Sequence, residues 1–186
     1  MKKLCVLTVF VLIIPCELIA KEGKWGLNIA INWVNTFLMK PDEEKAKTST
    51  GFLGLAFGID YYYSENSFIT FGIAGAMDFF FPIPVAADPH PGTSVESIGS
   101  GHISLSNNHK IGDFAIGYGL SYAGFDKDQF SKSHSTFGLI FPTSYQVIDD
   151  FGIGLIYRPT FYRPNLITDQ LAYEHLISLL LIKQFF

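Results

Sequence analysis

The chain has 186 residues, of which 48% are apolar, 16% aromatic and 16% charged, far below the quarter charged that is usual for a soluble globular domain, which argues against an ordinary cytosolic enzyme. Thirteen Lys and Arg against seventeen Asp and Glu give a net charge of −4, and with no basic tract to neutralise a phosphate backbone, nucleic acid is not the expected partner. A mean hydropathy of +0.27 points to a membrane, yet no stretch after residue 20 has the roughly 18 to 20 uninterrupted apolar residues that a spanning helix needs, so the spanning elements are predicted to be strands.

Residues 1–20 carry Lys2 and Lys3, an apolar run from Leu4 to Pro15, and then Cys16-Glu17-Leu18-Ile19-Ala20. This is the order of regions in a secretory signal peptide, with cleavage predicted after Ala20 and a barrel domain over 21–186. Cys16 raises the alternative of a lipidated cysteine, but Pro15 stands where a small residue is expected before one. Both cysteines, Cys5 and Cys16, fall in this segment, so the remaining chain has no disulfide, cysteine nucleophile or thiolate site.

Eight alternating segments follow. Trp25, Leu27, Ile29, Ile31 and Trp33 alternate with Gly26, Asn28, Ala30 and Asn32, a period of two that predicts a strand with one large apolar face and one small polar face. Leu53 to Tyr61 set Leu55, Phe57 and Ile59 against Gly54, Ala56, Gly58 and Asp60. The third sets Ile69, Phe71, Ile73, Met77 and Phe79 against Thr70, Gly72, Ala74, Ala76 and Asp78. A fourth, Val95 to Ser106, is carried by Ile103 and Leu105. The fifth opposes Phe114, Ile116, Tyr118, Leu120 and Tyr122 to Asp113, Ala115, Gly117, Gly119 and Ser121; the sixth opposes Phe137, Leu139, Phe141, Tyr145 and Val147 to Gly138, Ile140, Ser144 and Gln146. The seventh sets Phe151, Ile153, Leu155, Tyr157 and Phe161 against Gly152, Gly154, Arg158 and Thr160. The eighth, Tyr173 to Phe186, is more uniformly apolar and leaves its phase open.

Connections at 64–66, 107–109 and 148–150 are short, while 39–49, 81–93, 125–133 and 163–171 are long, and this alternation predicts tight turns on one rim and long external loops on the other. An eight-stranded lumen is just wide enough for side chains to fill, so the large apolar face is predicted to point outward and the small face inward. Charge agrees: Asp60, Asp78, Asp113 and Arg158 fall on the small face, as does Glu96 if Ile103 and Leu105 face out, and an unpaired charge facing lipid costs on the order of 2 to 4 kcal/mol near the midplane. These five form the predicted lumen charge network, with Arg158 expected to pair with Asp78 or Glu96. Trp25, Tyr61 and Tyr63 at one rim, and Phe37 and Phe79 at the other, predict aromatic belts.

These features make the chain resemble the small eight-stranded outer-membrane barrels of the OmpX/OmpA-barrel type. The closing Phe185-Phe186 is similar to the terminal aromatic by which such barrels are recognised, so Phe186 is implied as the assembly signal and the outer-membrane assembly machinery as a partner. Tyr157-Arg158-Pro159-Thr160-Phe161 and Tyr173-Glu174-His175-Leu176-Ile177-Ser178 resemble the tails of Bacteroidota barrels without an assigned activity. Gln184 departs from the usual terminal pattern, which has an outward apolar residue there.

One arrangement suggests chemistry. His102-Ile103-Ser104 resembles the His-x-Ser strand of outer-membrane lipid A deacylases, and residues i and i+2 of a strand share a face, so the imidazole could activate the hydroxyl. In that family the pair faces lipid, whereas the parity here turns His102 and Ser104 inward, and no acidic partner follows. The preferred reading is a hydrogen-bonded lumen histidine. His175 and Ser178, three apart, fall on opposite faces. His90 and His134 have no second ligand at metal spacing, and Asp42-Glu43-Glu44 among Lys40, Lys45 and Lys47 reads as a solvated loop.

The expectation is therefore an all-β, eight-stranded antiparallel up-and-down transmembrane barrel, non-enzymatic, without cofactor or metal. Its partners are outer-membrane lipid and an unidentified external partner at the loops. The alternatives are a lipid A-modifying enzyme using His102 and Ser104, and a narrow channel or small-ligand binder.

Overall fold

The computed structural model describes residues 23–40, 47–79, 98–127, 134–162 and 172–185. Eight strands follow one another: β1 Trp25–Lys40, β2 Lys47–Ser64, β3 Ser67–Phe79, β4 Ile98–Ile111, β5 Phe114–Lys127, β6 His134–Ile148, β7 Phe151–Tyr162 and β8 Ala172–Phe185. Each pairs antiparallel with its chain neighbour, and β8 returns to β1 to close the barrel. Closure satisfies the backbone donors and acceptors of every strand internally, the condition for a sheet to sit in hydrocarbon. β1, β2, β5 and β6 extend several residues beyond the predicted segments, and β4 runs on to Ile111, past the predicted end at Ser106.

The faces divide as the residue sizes demand. Leu55, Phe57, Ile59, Ile73, Leu105, Leu120 and Leu155 are exposed on the outside, while Ala30, Ala74, Ala123, Ser121 and Asn108 are buried inside. Trp25 packs against Tyr61, its cross-strand partner, with the rings tilted by 48° and their centroids 5.0 Å apart. Both rings stand on the rim that carries the tight turns, as a belt requires.

Phe37 overturns one expectation. It is fully buried inside the barrel at 0% exposure, not part of an outer belt. A bulge is the cause: the β1–β8 register slips between Asn32 and Val34, leaving Trp33 as the extra residue. Below it the even positions Asn28, Ala30 and Asn32 face inward; above it Asn35 and Phe37 do. Phe37 then joins Leu176, Ala76 and Ala123 in an apolar layer across the lumen. The side chain of Phe79 lies outside the described residues, although its backbone pairs with Phe52.

The second turn is also displaced from 107–109. β4 runs on to Ile111, which pairs with Phe114 across Gly112-Asp113. Gly112 has φ +62°, which glycine adopts without the steric cost that a side chain brings, and this suits the first central position of a two-residue hairpin turn. Asn107, which reads as a turn residue, instead bridges two outward tyrosines: the Tyr63 hydroxyl donates to its Oδ1 at 2.9 Å and its Nδ2 donates to the Tyr118 oxygen at 3.5 Å.

The last strand takes a definite phase. Glu174, Leu176, Ser178 and Leu180 are buried inside, and Gln184 continues this face by lining the lumen. Lys183, on the outward phase, reaches the turn between β6 and β7, where its Nζ lies 3.0 Å from Asp150 Oδ2.

Candidate functional site

The lumen gathers the polar chemistry of the chain, because every inward position of a narrow barrel approaches inward positions of other strands. Asp60 on β2 lies at its centre of hydrogen bonding in the half nearer the tight turns. Asn28 Nδ2 donates to both carboxylate oxygens, at 3.0 and 2.9 Å, and Thr70 donates to Oδ1 at 2.6 Å. The single proton of Thr70 is thereby committed, so its oxygen can only accept, which it does from Asn108 Nδ2 at 2.9 Å. Asn108 also donates to the Ser106 hydroxyl at 3.2 Å. Four adjacent strands, β1 to β4, are tied by this relay. Gly58 makes the room: a Cβ there would stand 2.4 Å from Asn28 Oδ1.

Below the relay, Tyr62 and Phe68 are buried and stack with centroids 4.9 Å apart. Lys110 Nζ lies over both rings, 5.3 Å from the centroid of Tyr62 and 5.9 Å from that of Phe68, a cation–π arrangement at the mouth. Above the relay, three amide and hydroxyl contacts fasten the bulged region. Asn32 Nδ2 donates to the Gly75 carbonyl at 3.4 Å, Asn35 Nδ2 to the Leu53 carbonyl at 3.3 Å, and Ser178 to Asn35 Oδ1 at 2.8 Å. Leu53 itself has φ +76°, a left-handed conformation unusual for leucine, so the Asn35 amide caps a strained bend.

His102 and Ser104 both belong to the inward face of β4, but they do not meet. The His102 ring pairs through Nε2 with the Ser100 hydroxyl at 3.0 Å, and Ser104 turns to the Gly72 carbonyl at 3.5 Å. His102 is buried inside the barrel, away from the lipid that a deacylase substrate would occupy.

Of the predicted charge network, Asp60 and Arg158 are in the lumen, at 1% and 2% exposure. Asp113 is not: it is an exposed turn residue, because β5 begins only at Phe114 and the chain needs Gly112 and Asp113 to reverse. The side chain of Asp78, and all of Glu96 and Phe186, lie outside the described residues, and the expected pairing of Arg158 with Asp78 or Glu96 lies there with them. No described acceptor is within hydrogen-bonding distance of Arg158 Nε or Nη1.

Two inward charges escaped the sequence reading. Lys110 was hidden by the displaced turn. Glu174, fully buried, sits on a face that also carries Leu176, Ser178 and Leu180, so size contrast gives no phase; the pairings with β1 and with the well-phased β7 assign it.

The sequence matches no family model and no curated protein. Among solved structures, Neisserial surface protein A superposes with a TM-score of 0.51 at 9% identity, over 86% of this chain and 96% of that one. Ail, the attachment invasion locus protein of Yersinia pestis, gives 0.48 at 16% identity, over 88% and 99%. The outer membrane protein OprG from Pseudomonas aeruginosa gives 0.47 at 13%, over 89% and 98%. The similarity to the Neisserial protein is one of fold. Together with a closed barrel whose large apolar side chains face outward, it places the chain in the cell outer membrane.

Proposed function

We propose that this outer-membrane barrel is a non-enzymatic scaffold that displays its four long connections at the cell surface, its lumen serving structure rather than transport. The observation that carries the reading is the division of the connections. Residues 65–66, 112–113 and 149–150 are two-residue turns on the rim shared with Trp25 and Phe185, while 41–46, 80–97, 128–133 and 163–171 all leave from the opposite rim. The interior supports a filled lumen: Phe37 with Leu176 in one half and Tyr62 with Phe68 in the other are buried where an aqueous path would run. Residues 1–20 act as the signal sequence, Phe186 as the mark read by the assembly machinery, and an external partner is met by the loops. A peptide tag within 80–97 should be labelled on intact cells and one at 112–113 only after permeabilisation. The reverse pattern would invert the orientation and end this reading.

A further inference from the structure

A cavity of about 100 Å3 lies in the lumen, lined by Arg158 together with Asp60, Ser104, Ser106 and Asn108. Arg158 is its unusual wall. The guanidinium carries five donors in a planar fork and keeps its charge in any protein, and the residue is 2% exposed, yet Nε and Nη1 find no acceptor among the described residues. The neighbouring carboxylate is already committed: both oxygens of Asp60 accept from Asn28, and Oδ1 also accepts from Thr70. Glu174, diagonal to Arg158 across the β7–β8 pairing, brings no oxygen within reach of those two nitrogens.

We propose that the cavity is a binding site for a small inorganic anion of halide size, held by the Arg158 guanidinium. Water alone would satisfy the donors but bring no negative charge to Nε and Nη1, which no carboxylate among the described residues reaches. Size favours a small ligand, since a cavity of about 100 Å3 is smaller than the roughly 150 Å3 that accommodates one benzene ring. A second donor lines the cavity from β4: the Ser106 hydroxyl accepts from Asn108 at 3.2 Å and keeps its own proton to donate.

The test uses the barrel refolded into phosphatidylcholine vesicles and unfolded in urea, in sodium chloride or bromide against sodium gluconate at equal ionic strength. A specific site raises the folded-to-unfolded ratio as one plus the ratio of anion concentration to Kd, so a hundredfold excess over Kd multiplies it by about a hundred. Stability that rises with halide in the native barrel, and not in Arg158→Met, is the expected result. Because that variant can fail to fold, the native protein crystallised with bromide supplies a second measurement, an anomalous bromine peak beside the guanidinium. Equal stability in halide and gluconate overturns the proposal, as does an undiminished halide effect in Arg158→Met or a crystal with no such peak. A bromine peak without a halide effect would be binding at crystal concentration only, and also overturns it. So does a halide effect absent from the native barrel but created by Asp78→Asn or Glu96→Gln, which would mean that an internal carboxylate occupies the place.

Discussion

Asp60 illustrates how a single side chain decides between strength and failure in this lumen. Its carboxylate is buried and accepts three hydrogen bonds, so Asp60→Ala would leave Asn28 and Thr70 with buried donors and no acceptor. Each stranded group costs on the order of 1 to 3 kcal/mol, and urea unfolding should show a loss of about 3 kcal/mol. Ser104→Ala is a contrasting case. It removes one long contact to the Gly72 carbonyl and should cost no more than about 1 kcal/mol, the net value of an ordinary hydrogen bond. Cells carrying it should have unchanged lipid A by mass spectrometry, and loss of a deacylated species would reinstate the His102–Ser104 pair as a catalytic unit. The positions of Asp60 and Arg158 were legible in the sequence because each lies on a strand whose small and large residues alternate cleanly, and that of His102 because Ile103 and Leu105 beside it fix the outward parity. Lys110 and Asp113 were not, because Asn107-Asn108-His109 has the polarity of a turn. The hydrogen bonds of Asn107 to tyrosines, of Asn108 to the lumen and of His109 to Ser67 explain polar residues continuing a strand.

At the scale of the strand, phase is the controlling quantity. One extra residue, Trp33, shifts β1 against β8 and turns Asn35 and Phe37 into the lumen. Deleting Trp33 should reverse the phase of everything above it, placing Asn35 against lipid and Phe37 outside. The heat-modifiable, folded fraction on a gel should then collapse, whereas Trp33→Leu, which keeps the residue count, should fold. Equal folding of the two would mean that the bulge relocates at little cost. A one-residue bulge has no sequence signature here, since Trp33 is itself a large residue on the expected outward parity, and the inversion that follows is visible only in pairing. β8 presented the opposite difficulty. Its inward face carries Leu176 and Leu180 beside Glu174 and Ser178, so size alone cannot separate its sides, and the register against β1 and β7 settles it.

For the whole molecule, the claim is a barrel turned inside out relative to a soluble one, with its large apolar surface in lipid and its polar groups packed within. A filled lumen should pass no ionic current above background in planar bilayers; a stepwise conductance of the native protein would revive the narrow-channel alternative. The two tryptophans test the inversion itself with native residues. Trp25 and Trp33 are exposed at 68% and 55% and lie eight positions apart on β1, about 20 Å across the bilayer for a strand rising roughly 3.3 Å per residue at a tilt of about 40°. With the barrel folded into vesicles of lipids brominated on their acyl chains, the fluorescence of the single-tryptophan variants Trp25→Phe and Trp33→Phe should be quenched in both cases. Quenching should be stronger for Trp33, the residue further inside the apolar band, and aqueous iodide should have little effect on it. Trp33 quenched by iodide and untouched by brominated chains would contradict a lipid-facing exterior.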